Sequence, residues 1–123
     1  MKRKRLESLS IFELTARYAQ SASLYAQAFD ACDSKKANKQ YDVLAAIREE
    51  LKKRPEGRSA ILNLLRSDDI GVRFCAAASA LAFAPKEAES VLEEIASGPL
   101  RTLGYSSEMT LEEWRKGNFE PYW

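Results

Sequence analysis

The stretch from Ser67 to Pro85, SDDIGVRFCAAASALAFAP, limits the fold more than any other part of the chain. An acidic pair opens it, alanines fill its second half, and a proline closes it. Asp68 or Asp69 can accept the free amides of a first helical turn and place negative charge at the positive end of the dipole. Val72, Cys75 or Ala76, Ser79 or Ala80, and Phe83 then recur at helical intervals. Alanine has the highest helix propensity and lets neighbouring helices approach closely. The pattern therefore predicts a helix packed on two sides, the inner member of a helix pair. Pro85 ends it and suits the first position of the next helix.

The rest of the chain is punctuated in the same way. Ser10-Ile11-Phe12-Glu13 is a capping box, and Leu9 with Leu14 can form a hydrophobic staple around it. A helix is expected from Ile11 to about Ala31, with Leu14, Tyr18, Tyr25, Phe29 and Cys32 along one apolar stripe. Asp33-Ser34 offers a turn and a new cap. The second helix turns Tyr41, Leu44, Ile47 and Leu51 inward, leaving Lys35, Lys36, Lys39, Arg48, Glu49, Lys52 and Lys53 on the rest of its surface. Lys52, Lys53 and Arg54 suit its carbonyl end, and Pro55 with Gly57 stops it. Residues 59–65 make a short buried helix, and Lys86 to Ser97 another that Gly98-Pro99 ends. Residues 99–109 read as a loop. Thr110-Leu111-Glu112-Glu113 reads as a second capping box, opening a short last helix with Gly117 at its C-cap. No alternating strand pattern occurs. The expected fold is all-α, about five helices with a short C-terminal capping helix, in one domain over residues 10–123 behind a basic tail at 1–9.

The segment from Ser59 to Ala84, an apolar helix, an acidic turn and then Val72-Arg73 before spaced alanines, resembles a HEAT or armadillo-type repeat. Such a repeat implies that the valine and alanines pack between helix pairs and that Arg73 hydrogen-bonds the turn. The longer order is the run Leu14 to Ala19, then Leu51-Lys52-Lys53-Arg54, Val72-Arg73, Ala84-Pro85 and Met109-Thr110-Leu111 with Trp114. It looks like a small family of bacterial domains of unknown function. That resemblance spans residues 10–117 and implies a HEAT/armadillo-like α-α superhelix. Its motifs carry no catalytic signature.

The chain contains no histidine, which removes the commonest general base, the usual partner of a nucleophilic Ser or Cys, and the most frequent zinc ligand. Cys32 and Cys75 lack metal-ligand spacing and read as small buried apolar residues. Glu93-Glu94 and Glu112-Glu113 are adjacent carboxylates, but helix neighbours point about 100° apart and cannot converge on one atom. There is no phosphate-binding glycine loop or nucleophile elbow. The expectation is a non-enzymatic protein with no metal and no cofactor.

Lys2 to Arg5 begin like a signal peptide, but Glu7, Ser8, Ser10 and Glu13 break the apolar run that such a signal needs next. Nothing approaches the roughly 18 apolar residues of a membrane span, so a cytoplasmic protein is expected. Two binding classes remain. The tail with Lys35, Lys36, Lys39, Lys52, Lys53, Arg54 and Arg58 could line a nucleic-acid surface, the less favoured alternative for a chain of net charge +1. Taking away the tail's four positive charges leaves the remainder at −3, and the excess of acid lies after Pro85.

There Glu93, Glu94, Glu112 and Glu113 stand beside Trp114, Tyr122 and Trp123, with Tyr105 and Phe119 nearby. Aromatics next to carboxylates suit a basic protein partner. The sharpest form of this reading is an immunity protein that neutralises a basic toxin, such as a nuclease. Against it, Trp114 and Phe119 can also fold back as a cap on the last helices. Oligomeric state and the concave face stay open at this level.

Overall fold

The helix starts follow from their caps. Ser10 Oγ accepts the Glu13 amide at 3.0 Å and the Glu13 carboxylate accepts the Ser10 amide at 3.1 Å, closing the box that opens α1 (Ile11–Asp30). Leu9 and Leu14 are both buried against it. The computed structural model describes residues 5–99, 101–121 and 123. Among these the order is a 3-10 turn (Leu6–Ser8), α1, α2 (Ser34–Lys52), α3 (Gly57–Leu64), α4 (Ile70–Ala80), α5 (Pro85–Ala96) and α6 (Arg101–Arg115), with no strand.

Asp33 caps α2 by accepting the Lys36 amide, and Asp69 caps α4 by accepting those of Gly71 and Val72. Pro85 occupies the first turn of α5. The alanine-rich helix behaves as its composition demands. Ala76, Ala77 and Ala80 are fully buried, and α4 packs on α1, α3 and α5. A side chain at Gly71 would lie 2.5 Å from Ala26 Cβ, so glycine is what lets α4 cross α1 so closely.

The core is one continuous cluster including Leu14, Tyr18, Ile47, Leu51, Ile61, Leu81 and Leu92, with a smaller one around Ala26, Ile95 and Leu103. No helix among the described residues is long and apolar enough to cross a membrane.

Several expectations are corrected here. Most of the segment expected as a loop over 99–109 is helical: α6 begins at Arg101 and has 15 residues, so the last helix is not short. Thr110 lies inside it, donating its hydroxyl back to the Ser106 carbonyl at 2.8 Å instead of capping a new helix. The buried face is Leu103, Gly104, Ser107 and Leu111. Two of these residues are small, and α6 lies against the end of α5, where a Gly104 Cβ would stand in van der Waals contact, 3.4 Å from the Ile95 carbonyl oxygen. Those small residues thin out the stripe of large apolar side chains that normally betrays a helix.

Cys32 is exposed, not buried. It sits at φ 57° just past α1, where the Asp33 amide donates to the Ala28 carbonyl and its own amide to that of Phe29. This is the Schellman arrangement that usually takes glycine, and it turns the chain off the apolar stripe. Gly117, at φ 79°, closes α6 in the same way.

The Arg73 guanidinium, expected at the turn before α4, instead reaches Glu94 on α5 at 2.9 Å. Arg48, read as an outward charge, is buried. Leu44, Arg48 and Leu51 share one helix face, so the arginine rides on the apolar stripe.

Candidate functional site

Helix α6 has a concavity on each flank. On one side, α5 and α6 form a shallow furrow lined by Glu93, Glu108, Glu112, Arg115 and Lys116. On the other, a groove of about 310 Å³ lies between α6 and the pair α1–α2, floored by α4.

The furrow brings together two of the residues singled out in the sequence, Glu93 and Glu112. Each is answered within the chain. Arg115 donates to Glu93 at 3.1 Å and to Glu89 at 3.1 Å. Lys116 donates to Glu112 at 3.0 Å, and that bond with the neighbouring carboxylate charge holds its ammonium above its ordinary range.

The other acidic candidates point elsewhere. Glu94 turns toward α4 and binds Arg73, while Glu113 accepts from the Asn118 side chain at 3.1 Å. Trp114 is half-buried against the core, its indole N–H donating to Glu89 at 3.1 Å. Trp123 folds back onto Phe83, with ring centroids 5.2 Å apart. Tyr122 lies outside the described residues.

The basic candidates separate too. Lys35, Lys36 and Lys39 are exposed near the start of α2. Lys52 pairs with Glu49 at 3.6 Å and Lys53 with Glu50 at 3.8 Å. Arg54 is a clamp: it pairs with Glu50 at 3.1 Å and donates to the carbonyls of Leu9 at 2.6 Å and Leu6 at 3.2 Å. It thereby ties the turn at Leu6–Ser8 to the end of α2. Lys2 to Lys4 lie outside the described residues.

The groove is a different object, and reading the sequence alone missed it. Tyr18 and Tyr25 come from α1, Tyr41, Leu44 and Arg48 from α2, Phe74 and Cys75 from α4, Tyr105 and Met109 from α6, and Phe119 from the segment after it. Its lining is mostly apolar, with Arg48 the formally charged side chain among the described residues. Burial pushes the Cys75 thiol up to about 12, against the pull of Arg48, so it stays protonated and is no nucleophile at neutral pH. Burial raises Tyr18 as well, although its hydroxyl lies 3.4 Å from Ser79 Oγ.

At the rim, Tyr105 is 66% exposed and Met109, one turn later, 38%. Among the described residues, no three His, Cys, Asp or Glu side chains converge as a metal site would require.

Comparison with known proteins adds lineage but no activity. A family model described as a domain of unknown function, DUF2019, matches residues 13–114. The chain is also similar to the crystal structure of the protein RPA1889 from Rhodopseudomonas palustris CGA009. The TM-score is 0.86 at 29% identity, over 97% of this chain and 99% of that one. No curated protein matches the sequence.

Proposed function

This chain belongs to the DUF2019 family, and we propose that it works as a non-enzymatic protein-binding module whose recognition surface is α6. One observation carries the reading. Tyr105 and Met109 stand exposed one turn apart on a helix whose opposite face is locked into the core, with Glu108 and Glu112 beside them. Large apolar side chains held out on a rigid element lose little conformational freedom on binding, and tyrosine is enriched among residues that dominate interface energetics. The adjacent carboxylates favour a basic partner and speed its approach.

In its sharpest form the module is a cytoplasmic immunity protein that blocks a basic toxin, for instance a nuclease. The stacked helices are then a HEAT-like scaffold that holds α6 in place.

The test is retention of a partner from nuclease-treated host lysate on the immobilised full chain, compared with Tyr105→Ala and with the double variant Glu108→Lys, Glu112→Lys. A single basic protein, released by moderate salt and lost from both variants at unchanged helicity, is expected. Equal retention by all three proteins rules out α6 as the surface. Capture of nucleic acid from untreated lysate, lost on replacing Lys35, Lys36 and Lys39, would favour the nucleic-acid alternative.

A further inference from the structure

We propose that the groove on the Tyr105 side of α6 binds a small neutral aromatic molecule carrying one hydrogen-bond acceptor, an aromatic ketone being the simplest case, with the hydroxyls of Tyr18 and Ser79 as its polar contact. Such a site goes beyond the protein-binding reading and does not depend on it.

Its basis is a buried hydroxyl proton without an acceptor. Tyr18 and Ser79 both line the groove, each is 1% exposed, and their oxygens lie 3.4 Å apart. That separation exceeds the roughly 2.5–3.0 Å of a good O–H···O bond. Whichever hydroxyl donates to the other, the proton of the second has no acceptor among the described residues. Thr15 and Thr110 donate theirs to the helix carbonyl four residues back, at 2.7 and 2.8 Å, a bond that Ser79 does not make among the described residues.

Burial keeps the Tyr18 phenol protonated, so both protons are present at neutral pH. Cys75 and Arg48, which act electrostatically on the Tyr18 hydroxyl, line the same groove, and this puts that oxygen at the groove floor. A buried donor left without a partner is costly and rarer in proteins than an acceptor with a spare lone pair. The floor therefore calls for an acceptor.

The walls select the rest of the ligand. Tyr25 of α1, Phe74 of α4 and Tyr105 of α6 bring rings from three helices, which a flat apolar body meets with the least loss of contact. At about 310 Å³ the groove falls at the lower end of small-ligand sites, which run from about 300 to 1,000 Å³. Arg48, Tyr41 and Phe119 of the same lining are already engaged within the chain. An anion would thus lose its water without a counter-charge held ready for it, and a cation would meet Arg48 as a like charge.

The experiment titrates acetophenone and α-methylstyrene, the same shape with a methylene in place of the carbonyl oxygen, into the full chain, followed by amide chemical shifts. Saturable acetophenone binding is expected, with shifts centred on Ala78, Ser79, Ser106 and Met109. The double variant Tyr18→Phe, Ser79→Ala removes both hydroxyls and leaves apolar groups of similar shape, a change that is nearly neutral for folding. It should weaken acetophenone about fivefold, the scale of one neutral hydrogen bond, and leave α-methylstyrene unchanged.

Ala78→Phe is the second variant. It fills the groove from α4, keeps both hydroxyls, and should abolish binding of both probes at unchanged helicity. Absence of acetophenone binding, equal weakening of the two probes or of neither in the double variant, shifts centred on the furrow, or binding that survives Ala78→Phe would each overturn the proposal.

Discussion

The two flanks of α6 differ in how their charge is handled. In the furrow, Glu93 and Glu112 are visible as an acidic cluster in the sequence, yet Arg115 and Lys116 meet them within hydrogen-bonding distance. In the groove, the described lining offers one charge, Arg48, embedded among rings drawn from segments that run from Tyr18 to Phe119. A dense charge cluster on a helix is a poor guide to net field when counter-charges lie one turn or one helix away. A single charge on an apolar stripe is a better one, because a buried charge has to be matched by its surroundings.

That contrast predicts unequal responses to mutation. The largest effect belongs to the groove floor: Tyr18→Ala, removing a side chain that is 1% exposed, should destabilise by about 4 kcal/mol, read by denaturant unfolding. A loss comparable to that of a surface substitution would mean that the floor is not packed as described.

Next comes alkaline pH. Cys75 ionises near 9.0 when unfolded and at about 12 when folded, so its contribution is complete below pH 9 and is lost as pH rises toward 12. Stability should therefore fall by about 1.4 kcal/mol per pH unit across that window from this group, with Tyr18 adding to the fall from its own ordinary value upward. Cys75→Ala should flatten the first part of the curve, and an unchanged slope would place the thiol in contact with water.

A smaller, opposite effect is expected under α6. The Ser107 hydroxyl is buried without a hydrogen-bond partner among the described residues, so Ser107→Ala should raise stability by about 1 kcal/mol. A loss instead would reveal a bond from that hydroxyl.

The furrow gives the smallest change. Glu112→Gln breaks an exposed pair with Lys116 and should leave the unfolding midpoint almost unchanged, and unchanged in high salt. A large cost there would erase the contrast between the flanks.

The features legible in the sequence were the local ones. Ser10 with Glu13, Asp33, Asp69 and Pro85 each act within one turn, so four helix starts were legible to within a residue, while α3, which has no side-chain cap, was legible from its apolar run only from Ser59, two residues late. The alanines of α4 announced a helix packed on several sides.

The sixth start was hidden because the buried face of α6 includes the small residues Gly104 and Ser107 and so lacks a strong apolar stripe. Thr110 with Glu113 has the spacing of a cap and none of its geometry. The groove was hidden for a related reason: Tyr18, Tyr25 and Phe74 read as core on their own helices, and only packing leaves space among them. Arg48 was the one available signal, a charge in step with Leu44 and Leu51.

Everything claimed for both flanks depends on residues 101–115 forming a helix, since the same turns wall the groove and bound the furrow. Amide hydrogen exchange of the free protein at neutral pH tests this directly. Continuous protection from Gly104 through Leu111, lost together under global unfolding conditions, is the predicted result. Fast exchange of Tyr105 to Met109 with protection beginning only after Thr110 would restore a loop there and contradict the account.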